Sequence, residues 1–90
     1  AATEVMYNIL MYVLYILRCK NNALYTGITN NLPARLKKHA DGKGSKYVRA
    51  NMPFELVYTE ELPDKVAALK REFEVKQFPK EMKEKLIKSV

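Results

Sequence analysis

Two apolar runs set four residues apart constrain this chain more than any other feature of it. "YVLYILRC" (12–19) is dense in aromatic, leucine and β-branched residues and reads as a largely buried strand. "LYTGI" (24–28) reads as a second strand, and "KNNA" (20–23) between them carries turn chemistry. The pair predicts a β-hairpin that stops at Gly27 and Ile28 and runs into asparagines and a proline.

Beyond the hairpin, Asn30 or Asn31 can cap a helix with Pro33 in its first turn, and "DG" (41–42) ends it, Gly42 taking the left-handed C-terminal position. Residues 43–51 read as a basic loop or a short second helix. Pro53 punctuates, and "FELVYTE" (54–60) predicts a third strand. Asp64 caps a long helix through about residue 78, and Pro79 opens a final helix with Met82, Leu86 and Ile87 on one side. The order is β-β-α-(α)-β-α-α. Three strands need helices to cover them, so the class is α+β.

Ninety residues suit one small domain. Residues 11–90 are expected to form it, with 1–10 a tail or strand extension whose first residues read as an expression remnant. The apolar run 5–17 is interrupted by Asn8 and is shorter than the roughly 20 residues a bilayer span takes. Glu4 precedes it where a targeting signal has basic residues, so no signal is expected. Cys19 stands alone, which excludes an intramolecular disulfide and points to a reducing, cytoplasmic setting. One cysteine and one histidine, His39, also exclude a zinc site, which takes about three or four such ligands. A Ser-His-acid hydrolase would need Ser45 or Ser89, neither in a nucleophile-elbow context, and no glycine-rich phosphate loop is present.

The net charge of +6 is concentrated: residues 18–50 hold eight bases against one acid, Asp41, whereas residues 51–90 balance. Such a segment is either a solvated basic face or the footprint of a polyanion, most simply nucleic acid.

Two helical wheels, at about 100° per residue, bring out the candidate residues. Over 64–78, Val66, Leu69 and Phe73 fall together as a buried stripe, Ala68 and Val75 lie across the same apolar face, and Glu72 lands between them. Lys70, Arg71 and Glu74 point away. A carboxylate there needs a partner: either Lys76 one turn on, or a metal. Over 32–41, Leu32, Leu36 and Ala40 make the buried stripe, with Arg35 and His39 together on its flank. That places a phosphate-clamping guanidinium beside a titratable imidazole at the rim of the core.

"VLYIL" (13–17), "LYTG" (24–27), Arg35 eight positions after Gly27, His39 four later and Glu72 on a following helix together resemble the GIY-YIG nuclease domain. That domain also forms the N-terminal nuclease of the excision-repair protein UvrC. The likeness is greatest to small standalone bacterial members and covers roughly residues 11–88. It implies a three-stranded antiparallel sheet flanked by helices. It further implies that Tyr15 and Tyr25 project from the hairpin towards a scissile phosphate, with Gly27 leaving backbone room beside them. Arg35 would stabilise phosphorane charge, and Glu72 would hold a single Mg²⁺ or Mn²⁺. Tyr25 is the expected base, with His39 second as base, proton relay or leaving-group acid. Tyr12 and Tyr58 are expected in the core. Val13 and Leu14 stand where the family name has Gly-Ile, Ile28 replaces a lysine that several relatives carry, and no asparagine follows Asn51.

The expected function is a metal-dependent endonuclease acting in DNA repair on branched, nicked or single-stranded DNA, with no membrane partner. Lys38, Lys43, Lys46, Tyr47 and Arg49 would grip the backbone. So small a surface favours reading shape over base sequence. The alternative is a DNA- or RNA-binding module that keeps the fold without useful catalysis, which Ile28 and the missing asparagine favour.

Overall fold

The computed structural model describes residues 11–89; the expected N-terminal tail, residues 1–10, lies outside them. The order of elements is β1 (Tyr12–Cys19), β2 (Leu24–Thr29), α1 (Leu32–Ala40), α2 (Lys46–Ala50), β3 (Phe54–Leu62), α3 (Lys65–Lys76) and α4 (Lys80–Lys88). The three strands form an antiparallel sheet in the order β2-β1-β3. The basic segment 43–51 thus contains a short helix, β3 runs two residues beyond the expected 54–60, and α3 stops short of residue 78.

β1 is central and is covered on both faces. Leu14, Tyr15, Ile16 and Leu17 are all fully buried, each large apolar side chain contributing about 1.5–3 kcal/mol of transfer free energy. Tyr15, Leu17 and Cys19 pack with Val48, Leu32, Leu36, Met52 and Phe54 under α1 and α2. Leu14 and Ile16 face the other way, onto Val75, Phe78, Leu86 and Ile87 of the α3–α4 layer. A bulge at Val57 shifts the β1–β3 register, since Ile16 pairs with Tyr58 but Leu17 with Leu56.

The caps follow the sequence closely. Asn31 accepts from Ala34 N–H, Ser45 from Tyr47 and Val48 N–H, and Asp64 from Ala67 N–H. Gly42 has φ 75°, the left-handed value. Side-chain ties then lock the layers: Arg18 is bidentate to Glu84, which also takes Lys80, and the two cations hold the Glu84 carboxyl at about 2. Arg71 donates to both oxygens of Glu60, which also accepts the Tyr58 hydroxyl.

Two helices are rotated from the apolar stripes expected of them. In α3 the buried residues are Ala68 and Val75, whereas Val66, Leu69 and Phe73 are 61%, 47% and 69% exposed. The ion pair of Arg71 with Glu60 on β3 turns this helix, and the small Ala68 lets it lie close on the sheet. Arg71 therefore does not face solvent as its charge suggested, while Lys70 and Glu74 do. In α1, Ala40 is exposed and His39 is 1% exposed. Burying an imidazole that has a hydrogen-bond partner removes far more surface than burying a methyl group. Met82 is likewise exposed, and Tyr12 and Tyr58 are only half-buried.

Candidate active site

The site grows from the hairpin register. Tyr15 pairs with Gly27 and Leu17 with Tyr25, so the two tyrosines lie diagonally on one face of the sheet. The Tyr15 ring crosses above Gly27, where a Cβ would stand 2.6 Å from Oη and 2.7 Å from Cζ. Any side chain at 27 would displace the phenol, so the glycine is a requirement of the Tyr15 position.

α1 then delivers His39 to that hydroxyl. Nε2 lies 2.9 Å from Tyr15 Oη inside the core. Phe54 and Tyr25 pack edge-on to the imidazole, at centroid distances of 6.0 and 5.5 Å. With the ring 1% exposed, neither nitrogen reaches solvent. Burial, helped by the Arg35 charge, lowers the proton affinity of the imidazole and disfavours its charged form.

The Tyr15 hydroxyl is the common point of the remaining groups. Burial pushes it up to about 12, aided by negative charge on Tyr25 and more weakly on Glu72, while the Arg35 guanidinium pulls the other way. Arg35 lies on α1, on one face of the sheet. Glu72 acts on that hydroxyl from α3, which packs against β1 and the edge strand β2. Tyr15, Tyr25 and His39, singled out in the sequence, thus meet ring to ring, while Arg35 and Glu72 bear on the Tyr15 hydroxyl by their charge. Glu72 also meets Lys76 at 3.3 Å, so the expected i, i+4 pair is formed beside the site.

The grip residues divide. Lys43, Lys46 and Arg49 line one shallow basic cavity with Gly42, Gly44 and Ser45. Tyr47, 44% exposed, stacks on Tyr25 at 6.3 Å and 18°, which ties this surface to the site. Lys38 is exposed on α1 outside that cavity. An apolar groove lies elsewhere, along Leu69, Phe73 and Phe78, and no tyrosine lines it.

Sequence reasoning missed Gly44, which packs directly on the His39 ring: a Cβ there would stand 2.5 Å from Nδ1. The only signal was a second glycine two residues after the helix-ending one.

The fold is that of a nuclease domain class, on which the comparison with known families agrees: the GIY-YIG catalytic domain matches residues 11–85, and the chain belongs to that family. Among individual proteins, the UPF0213 protein of Oceanobacillus iheyensis is 47% identical over 76 residues, covering 84% of this chain and 88% of that one. The UPF0213 protein of Staphylococcus haemolyticus is 45% identical over 76 residues, covering 84% and 93%. The solution NMR structure of a UPF0213 protein from Bacillus halodurans has a TM-score of 0.58 at 44% identity, covering 88% of this chain and 84% of that one. Its likeness extends to the three-stranded antiparallel sheet with flanking helices.

Proposed function

We propose that this domain is a divalent-metal-dependent endonuclease that hydrolyses phosphodiester bonds in DNA and selects DNA structure over sequence. The observation that carries the reading is the cluster of Tyr15, Tyr25 and His39, with His39 Nε2 at 2.9 Å from Tyr15 Oη, and with the charges of Arg35 and Glu72 felt at that hydroxyl.

Among the described residues no three His, Cys, Asp or Glu side chains cluster as a metal cage. Glu72 offers a single carboxylate, 20% exposed, with one lysine on it. That suits Mg²⁺ or Mn²⁺, since a hard cation of this kind keeps several waters and takes one or two carboxylates plus phosphate oxygens. When bound, the ion supplies charge stabilisation at the phosphoryl oxygens.

The chain's own residues do the rest. Tyr25 is the half-buried phenol and the base: its oxygen takes a proton from the attacking water while its own proton passes to solvent, the water oxygen bonds to phosphorus, and the deoxyribose oxygen leaves and is protonated by solvent. Tyr15, fully buried, stays protonated and positions Tyr25. His39 is sealed from water, so it acts through Tyr15 and is neither the base nor the leaving-group acid. Arg35 neutralises charge developing on the phosphorane. Lys43, Lys46 and Arg49 hold the backbone as point charges with no access to base edges, which favours shape over sequence.

A second reading, binding without cleavage, is supported by the Glu72–Lys76 pair, which gives the carboxylate a partner without any metal. The deciding experiment is nicking of supercoiled plasmid and branched DNA with Mg²⁺ or Mn²⁺. Metal-dependent nicking abolished by both Glu72→Ala and Arg35→Ala is the expected result. DNA binding with no nicking above those variants would replace the enzyme by the binding module.

A further inference from the structure

Gly44 belongs to the loop that joins α1 to α2, and its position there is fixed from both sides. α1 ends with Gly42 N–H donating to the His39 carbonyl at 3.1 Å and Lys43 N–H to the Lys38 carbonyl at 2.8 Å, the paired bonds of a helix closed by a left-handed residue. Ser45 then caps α2. Between them Gly44 lies flat on the imidazole: a Cβ would meet Nδ1 at 2.5 Å and both Cε1 and Cγ at 2.9 Å. Nδ1 is buried without a hydrogen-bond partner among the described residues, whereas Nε2 has Tyr15.

A neutral imidazole carries one proton for its two nitrogens. Placed on Nδ1, that proton would be a buried donor facing a carbon. Orphaned buried N–H groups are rarer in folded proteins than under-satisfied acceptors, so the bare lone pair is the cheaper occupant. We propose that Gly44 is a positioning residue that fixes His39 as the Nε2–H tautomer. His39 then donates to Tyr15 Oη, and the Tyr15 proton is left free to turn toward Tyr25, whose ring centroid lies 6.4 Å from that of Tyr15.

The consequence is a polarity. Donation runs outward, from His39 through Tyr15 towards the phenol that works on water, and it steadies negative charge there. In the other tautomer Tyr15 gives its proton inward to Nε2 and offers the site only a lone pair. Ser, Ala or any larger residue at 44 breaks this by pushing the ring off Tyr15. The catalytic meaning rests on the hydrolytic reading given above, but the tautomer itself does not.

His39 is the chain's only histidine, so its ring nitrogens can be assigned without ambiguity. Long-range ¹H–¹⁵N spectra of the full chain, without DNA or metal and at a pH where the ring is neutral, should show Nε2 protonated and Nδ1 bare. In Gly44→Ala the two nitrogen shifts should converge as the tautomers mix, and metal-dependent nicking should fall on the order of tenfold, as for one lost hydrogen bond. Ser45→Ala removes the cap and loosens the same loop without adding a side chain, and it should keep the wild-type tautomer. A protonated Nδ1 in the wild type overturns the proposal even if Gly44→Ala fails to fold. So does an unchanged spectrum in Gly44→Ala, or the same mixing in Ser45→Ala. A wild type with Nε2–H but no nicking keeps the tautomer assignment and removes the nuclease reading instead.

Discussion

Odd-numbered residues of β1 face α1 and α2, and even-numbered ones face α3 and α4. On the second side the core is Leu14, Ile16 and Val75 with aliphatic and aromatic neighbours, beside the buried Thr26 that pairs with Ile16. On the first side the core contains Tyr15 bonded to His39, and two glycines whose missing side chains make room for those rings. The charge divides in the same way, with the excess of bases in the segment that contains α1 and α2. One strand thus carries a face that supplies stability and a face that sacrifices packing freedom for a site. Removing volume should hurt the first, and adding volume should hurt the second.

The largest effect on folding is expected from removal. Ile16→Ala leaves a cavity in the aliphatic face and should lower stability by about 2–5 kcal/mol, read from urea unfolding. Nicking per folded molecule should stay near wild type; a parallel loss of activity would mean the faces are not separable. Addition is the complementary test. Gly27→Ala overpacks the Tyr15 hydroxyl and should cost about 1–3 kcal/mol, while lowering nicking far more than that destabilisation explains. Wild-type activity in Gly27→Ala would break the comparison outright.

A gentler probe is pH. The folded chain holds His39 below the ordinary histidine value of roughly 6.5, so the unfolded chain binds more protons in that window. Stability should therefore be fully present above about pH 6.5 and decline as pH falls through the folded value. Glu60 and Glu84, whose carboxyls are also lowered, add their own decline only further into acid, below about 4.5. In His39→Gln the first decline should vanish and the second remain. Unfolding midpoints that fall identically in both proteins would exclude His39 as its source. The smallest effect should come from Phe73→Ser, within about 0.5 kcal/mol of wild type because that ring is exposed. A loss of several kcal/mol there would return Phe73 to a core.

Much of this was legible beforehand. The hairpin, the caps at Asn31 and Asp64, and the left-handed Gly42 are local chemistry, and local chemistry survives packing. The rotation of α1 and α3 was not legible, because apolar periodicity assigns the inward face to the most apolar stripe. Here that rule yields to polar anchors: Arg71 to Glu60 on β3, and His39 to Tyr15. Both partners are distant in sequence, and no wheel displays them. Glu72 was recognised because it interrupted an apolar face, even though half of that face proved to point outward. Gly44 went unread because a glycine's requirement for space is visible only once the group occupying that space is in place.

The loop from Asp41 to Ser45 has one more consequence, and it concerns entropy. A surface glycine is ordinarily the freest residue in a chain. In this loop the backbone is tied at Gly42 and Lys43, capped at Ser45, and pressed on the imidazole at Gly44. Its freedom is surrendered on folding, before any DNA arrives. For the DNA grip proposed above, Lys43 and Lys46 are presented from a backbone that has little left to lose, and the ordering cost that usually weakens a loop's grip is already met within the fold.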